Sequence, residues 1–479
     1  MVTIELLSAG EAKAAEHEAT FTRANPLSGE VVTMAAAASV GDVNAAADAA
    51  GRAFNAWSQT GPGERRAKLL KAAELMEARQ DDFIDRMIDE TGATPGWAGF
   101  NVKVAADVLR EAAALTTQIH GDIIPSNVPD SMAMGVRVPC GVVVGIAPWN
   151  APIILGTRAI ATPLACGNTV ILKASEQCPA THHLIGEVLQ EAGFGDGIVN
   201  VISNVPDNAA EVVSALIAHP AVRRINFTGS TGVGKIIAEQ AAKHLKPVLL
   251  ELGGKAPFLV LDDADIDAAV DAAIFGAFFN QGQICMSTER VIVDHQVADA
   301  FVEKFTERAR ALKAGNPRDE GNTLGTLINA QSGEKLNSLI DDAVTQGAHL
   351  AAGGKAEGVV MQATVIDGVT SDMRLYSEES FGPIVAVIRV NGEEEAIHIA
   401  NDSEYGLSSA VFSRDSARAM KVAGRLQTGI CHINAPTVHD EPQMPFGGVK
   451  SSGYGRFGGK AGIEEFTELR WMTMQLGPR

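Results

Sequence analysis

Apolar positions along the chain follow two periods. Over residues 42–57 and again over 63–90 they recur three and four apart with charged residues between, which predicts two amphipathic helices. From residue 140 short Val/Ile-rich runs alternate with alanine-rich stretches. Strands are predicted at 142–146, 168–172, 198–202 and 223–227, with helices over 153–166, 181–192 and 208–218 between them. Such alternation predicts a parallel sheet with crossover helices, most simply a doubly wound nucleotide-binding domain. After Gly253-Gly254 the pattern restarts, with a strand at 258–261, a helix over 266–279 and strands at 290–293, 384–390 and 410–412. A second α/β lobe is expected there. Residues 121–137 mix Pro, Asn, Ser and Asp with Ile, Val and Met and read as an arm. The tail over 467–476 reads as a strand, expected to pair with the arm of a neighbouring subunit.

Length supports this division, since 479 residues exceed what one hydrophobic core serves. A net charge of −19 argues against nucleic acid or an anionic membrane as partner. No stretch approaches the run of about 20 apolar residues of a membrane span, and the N-terminus lacks the pattern of a secretory signal. Five cysteines (Cys140, Cys166, Cys178, Cys285, Cys431) lie scattered without a Cys-x-x-Cys pair, which suits free thiols in a reducing, cytoplasmic setting. No metal site is predicted.

Several short motifs carry candidate chemistry. In Phe227-Thr-Gly-Ser-Thr-Gly-Val-Gly-Lys235 a strand ends in a glycine-rich turn that opens a helix, offering N–H groups to a pyrophosphate. The same run nearly matches the phosphate loop of nucleoside-triphosphatases. Ile236, however, stands where that loop needs a Ser or Thr for magnesium, which argues against the match. Lys173 and Glu176 follow a strand at the place where dinucleotide sites hold a ribose. A carboxylate there repels a 2′-phosphate and favours NAD, with NADP still possible. Cys285 lies in a helix-to-strand turn as a candidate nucleophile or a structural thiol. Glu251 ends an apolar strand before two glycines, where burial raises a carboxyl toward the range of a general base. Asn150 sits between Pro148 and Pro152 in a rigid turn.

Together these residues resemble the aldehyde dehydrogenase superfamily from about residue 20 onward. The match runs in order through Pro148-Trp149-Asn150, Lys173/Glu176, Phe227 to Ser230, Glu251 to Gly254, Gly282 to Cys285, Glu379/Phe381 and Pro445 to Gly448. The resemblance implies a family fold of two doubly wound α/β lobes plus a β oligomerisation arm. It divides the chain into a cofactor domain (1–117 and 140–253), a catalytic domain (254–450) and an arm with tail (118–139 and 451–479). It further implies Cys285 as nucleophile, Glu251 as the base for the hydrolytic water, and Asn150 with the Cys285 N–H as oxyanion donors. Lys173 and Glu176 would hold the adenosine ribose, Ser230 the pyrophosphate and Glu379 the nicotinamide ribose. Leu252 and Phe381 would place the nicotinamide. Ile146, Pro148, Trp149, Ser175, Phe227, Gly229 and Gly234 complete the expected cofactor site. A homodimer or homotetramer is implied.

For the substrate, the chain resembles bacterial enzymes acting on salicylaldehyde, vanillin and benzaldehyde. Arg158, eight residues past Asn150, offers a cation for a phenolic oxygen or a carboxylate. The latter would make this a semialdehyde dehydrogenase. Trp97 could stack on a ring, Phe446 is a further candidate contact, and Phe279, Ile284 and Met286 near Cys285 are apolar. An aromatic aldehyde, salicylaldehyde first, is the expectation. Transfer of the acyl group to coenzyme A and a catalytically silent relative are the other readings; intact Cys285, Glu251 and Asn150 argue against silence.

Overall fold

The computed structural model describes residues 1–477. Five parallel strands form the centre of an eight-stranded first sheet, in the spatial order Val248–Glu251, Val222–Thr228, Val142–Ile146, Thr169–Lys173, Val199–Ile202. Apart from the half-buried Val248, their Val, Ile and Leu side chains are buried on both faces, as expected for a sheet covered by helices on each side. Chain order reverses between Val142–Ile146 and Val222–Thr228. The carboxyl ends of these two strands therefore open a crevice, the usual place for a ligand in such a sheet. Short N-terminal strands extend one edge through pairing of Leu7 with Val201.

A seven-stranded second sheet contains Ala256–Val260, Thr288–Asp294, Ile384–Val390 and Ala410–Phe412 side by side and parallel. The chain enters it directly from Glu251 through Leu252 to Lys255. Carboxyl ends of the first sheet consequently face amino ends of the second.

Two expectations are corrected, that of a single helix over 63–90 and that of the tail's partner. The single helix over 63–90 is two, Pro62–Ala78 and Gln80–Thr91, because Arg79 leaves the helical region at φ −101°, ψ 21°. The segment around Trp97 belongs to a long helix, Pro95–Leu115, packed beside Pro152–Ala165. The tail strand Thr467–Gln475 pairs antiparallel with Ser131–Pro139 of its own chain over nine residue pairs, from Thr467–Pro139 to Gln475–Ser131. The arm is therefore completed within the subunit. Among the described residues no helix is long and apolar enough to cross a membrane, and all five cysteines are free.

Candidate active site

Cys285 lies seven residues past the helix Ile266–Phe278 and three before the strand Thr288–Asp294. The turn leading to it is forced: Asn280, Gln281 and Gly282 have φ of 49°, 53° and 67° in succession. Two of these carry side chains, and such conformations cost ~1–3 kcal/mol each, persisting only where surroundings impose them. Here an amide network does so. Asn280 Nδ2 donates to the Asn150 carbonyl (3.1 Å), and Gln281 Nε2 and Gln283 Nε2 both donate to the Thr326 carbonyl (3.2 Å each). A Cβ on Gly282 would stand 2.2 Å from the Gly382 carbonyl, so the Cys285 turn packs directly on the Glu379–Pro383 segment.

Glu251 ends its strand fully buried, and neither carboxylate oxygen has a hydrogen-bond partner. Burial pushes its pKa up to about 8, with the Cys285 thiol and Arg158 acting in the other direction. Desolvation likewise raises the half-buried Cys285 thiol well above its ordinary value, reinforced by Glu251, Glu379 and Asp440. Asn150 is buried; its Nδ2 donates to the Gln283 carbonyl (2.9 Å), which leaves one amide hydrogen. Among the described residues the Cys285 backbone N–H has no protein acceptor.

Two cavities meet at this thiol. On one side Pro148, Trp149, Asn150, Ser230, Glu251, Leu252, Glu379 and Phe381 surround Cys285. Trp149 and Phe381 meet edge to face at 5.7 Å, with Phe381 held at φ 57°. Glu379 Oε1 accepts from the Gly254 N–H at 2.8 Å. Desolvation and the charge of Glu289 raise Glu379 to about 7. This space continues into a cleft of about 590 Å³ along the sheet crevice, lined by Ile146, Lys173, Ser175, Glu176, Phe227, Gly229 and Ser230. Ser230 caps the helix Thr231–Lys243, its Oγ accepting from Val233. Gly229 and Gly234 permit close packing: a Cβ at either would come within 2.5 Å of Phe227 or Leu252. Lys173 is ion-paired with Glu176, whose Oε1 also accepts from Asn204 (3.1 Å). These features fit an extended dinucleotide: helix N–H groups midway, carboxylates at two hydroxyl-bearing ends and apolar Val213, Val233 and Ile237 beyond.

On the other side lies a mainly apolar cavity of about 230 Å³ lined by Trp97, Phe100, Ile154, Leu155, Phe275, Ile284, Met286, Val438 and Phe446. Trp97 stacks on Phe100 (5.5 Å, 18°) and donates its indole N–H to the Asn150 carbonyl (2.8 Å). Arg158 is not a free cation. Its Nη2 donates to both oxygens of Asp440 at 2.7 and 2.6 Å, and its guanidinium lies 4.8 Å from the Phe446 ring centre.

Every residue given an expected catalytic, cofactor or substrate role thus lines these spaces except Gly234, which packs on Leu252, while Phe279 sits behind Trp97 rather than in the cavity wall. Sequence reasoning missed Asp440, Phe100 and Phe275 in the cavity. It also missed Glu289, whose carboxylate accepts from the Ser380 and Phe381 N–H groups and from Lys255. No local signal marks Asp440 or Glu289, because each acts across a long stretch of chain, whereas Phe100 stands three residues past Trp97 on the same helix and stacks on it. Lys235 of the glycine-rich run is exposed and does not line the cleft. Among the described residues no cluster of metal-ligating side chains occurs.

Comparison with known proteins identifies the family. A profile described as the aldehyde dehydrogenase family matches residues 13–472. The chain is 62% identical over 479 residues to a vanillin dehydrogenase of Pseudomonas fluorescens, covering 100% of this chain and 99% of that one. It is 53% identical over 457 residues to a salicylaldehyde dehydrogenase of Pseudomonas putida, covering 95% of each. The crystal structure of a salicylaldehyde dehydrogenase from Pseudomonas putida G7 complexed with salicylaldehyde superposes with a TM-score of 0.98 at 51% identity. The superposition covers 99% of this chain and 98% of that one.

Proposed function

As the chain belongs to the aldehyde dehydrogenase family, we propose that it oxidises aromatic aldehydes, hydroxylated benzaldehydes above all, to their acids with NAD through a thioester on Cys285. The observation that carries this reading is the meeting of a dinucleotide-shaped cleft and an aryl-sized apolar cavity at one thiol.

In this mechanism the aldehyde enters from the apolar cavity and Cys285 sulfur attacks its carbon, its thiol proton passing to the neighbouring Glu251 carboxylate and on to solvent before the hydrolytic step. Negative charge develops on the former carbonyl oxygen, where the free amide hydrogen of Asn150 and the Cys285 N–H stabilise it. An oxidised nicotinamide, bound between Trp149, Leu252 and Phe381, would supply the acceptor for the hydride that the adduct loses. The acyl group remains on sulfur. Glu251, with both oxygens unpartnered, takes a proton from the water that attacks the thioester, and the acid leaves.

Family membership supports a nicotinamide cofactor, and the cleft favours NAD. Glu176 and Asp207 place two carboxylates along the cleft against the single cation Lys173, which is already paired. A 2′-phosphate would meet net negative charge.

The substrate reading rests on the ring-lined cavity and on Arg158 Nη1, a buried donor without a partner, free for a phenolic oxygen. Relatives named for vanillin at 62% identity and for salicylaldehyde at 53% support hydroxybenzaldehydes as a class. On this support vanillin joins salicylaldehyde as a lead substrate to test. Pairing of Arg158 with Asp440 argues against the semialdehyde reading. Leu469 and Trp471 on the tail strand and Ile123 on the arm are exposed apolar side chains, which supports a homo-oligomer built on this ribbon.

Reduced-cofactor absorbance with salicylaldehyde, vanillin, benzaldehyde and succinic semialdehyde, each with NAD and NADP, tests the proposal. Preference for the hydroxylated rings with NAD, lost selectively in Arg158→Leu, is expected. Preference for succinic semialdehyde would overturn the substrate assignment while leaving the thioester chemistry intact.

A further inference from the structure

The pair formed by Arg158 and Asp440 calls for an explanation. Both side chains are less than one-tenth exposed, and a buried ion pair contributes little net stability, because desolvation offsets the attraction. An apolar pair of the same volume would close this wall equally well. The pair lies on the ligand cavity instead, with one terminal guanidinium nitrogen, Nη2, on the carboxylate and the other, Nη1, unpartnered. Arg158 thus offers a hydrogen-bond donor whose positive charge is already matched. His439 at the cavity's edge is likewise engaged, Nε2 lying 2.7 Å from Glu441 Oε1. An anionic group entering this space would find no unmatched cation and would approach the Asp440 carboxylate.

Building on the aryl-aldehyde reading, we propose that Asp440 is a specificity-determining residue that excludes aldehydes bearing a carboxylate and admits neutral or phenolic ones. Discrimination then comes from a repulsive element placed against the wrong ligand, as interfaces selective between similar partners commonly use. The hydroxyl of a phenol fits the arrangement doubly, accepting from Arg158 Nη1 and donating to Asp440. A carboxylate can only accept.

The test compares kcat/KM for benzaldehyde and its 2-, 3- and 4-carboxy derivatives with NAD in wild type, Asp440→Asn and Asp440→Glu. Asp440→Asn keeps an acceptor for Arg158 but removes the charge. The carboxy-to-benzaldehyde ratio is expected to rise about tenfold or more for at least one isomer. Asp440→Glu should return the ratio toward wild type. Arg158→Leu combined with Asp440→Asn should abolish the gain. A ratio that stays within about twofold of wild type, or that rises equally for the methyl esters, would overturn the role of Asp440. Should Asp440→Asn not fold, wild type decides through 3-carboxybenzaldehyde and its methyl ester. A preference for the ester of about tenfold or more supports the proposal, and equal turnover overturns it. Failure of the underlying reading looks different: wild type would then prefer an aliphatic semialdehyde to benzaldehyde.

Discussion

Trp97 donates its indole N–H to the backbone carbonyl of Asn150 across 2.8 Å, tying the aromatic wall of the apolar cavity to the segment that carries the proposed oxyanion donor. Replacing Trp97 with Phe keeps an aromatic ring and removes this one bond. A net loss near ~1 kcal/mol is typical, so kcat is expected to fall about fivefold while KM for NAD holds. Steady-state kinetics check this, and an unchanged kcat would separate Trp97 from the geometry of Asn150.

Asn150→Ala removes the donor itself. Loss of one such group typically costs ~10²–10³-fold in kcat, and calorimetric affinity for NAD should be retained. Turnover close to wild type would remove Asn150 from the mechanism.

For Glu251 the pH dependence follows from burial. With its pKa pushed up to about 8, the group must lose its proton before it can accept one from water. Turnover should therefore climb with pH and level off above that value. In Glu251→Gln this limb should vanish, and one acyl group should accumulate on Cys285, visible by intact mass and as a single burst of reduced cofactor. Continued turnover without acyl-enzyme would assign the base elsewhere.

The same shift makes a prediction about stability. A carboxyl raised on folding favours the native state below its unfolded pKa, and that contribution is lost as pH rises through the folded value, here about 8. Glutamine is neutral throughout. Glu251→Gln should melt higher than wild type at pH 8.5, with the gap closing toward pH 5. A gap independent of pH would contradict burial of a titrating carboxyl.

Cofactor choice is tested at Glu176, whose Oε1 is fixed by Lys173 and Asn204. Glu176→Ser should shift the NAD-to-NADP ratio of kcat/KM toward NADP by about tenfold. The paired change with Asp207→Ser should exceed either alone.

Oligomerisation is tested on the tail. Leu469 and Trp471 lie two apart, on one face of the strand, with 64% and 79% exposure. Changing both to Ser should lower the solution mass measured by light scattering while the intrachain ladder to Ser131–Pro139 keeps the fold. An unchanged mass would move the interface elsewhere.

Much of this molecule was legible because its chemistry sits where local pattern speaks. Glu251, Gly229 and Lys173 each end or follow a Val/Ile-rich run, and a parallel strand must deliver its last residue to the carboxyl edge of the sheet. Sequence order and β-α periodicity alone therefore placed these groups on one rim, and the resemblance of the motifs supplied the expected roles. The 63–90 helix was misread because nothing in the apolar period marks the break at Arg79. The tail's partner was misassigned because antiparallel pairing of exposed strands is equally compatible with its own arm and a neighbour's.

What only the tertiary structure decided are the contacts between distant segments. Asp440 reaches Arg158 across 282 residues, Glu289 cradles the Ser380 and Phe381 N–H groups from about 90 residues away, and Trp97 meets Asn150 across 53. A charge that reads as free in sequence is thus neutralised in the fold, and a ring that reads as a stacking surface is also a hydrogen-bond donor. Periodicity reports which face a residue takes, a property of its own strand or helix. Which side chain waits on the opposing face depends on how whole elements pack, and no local pattern encodes that.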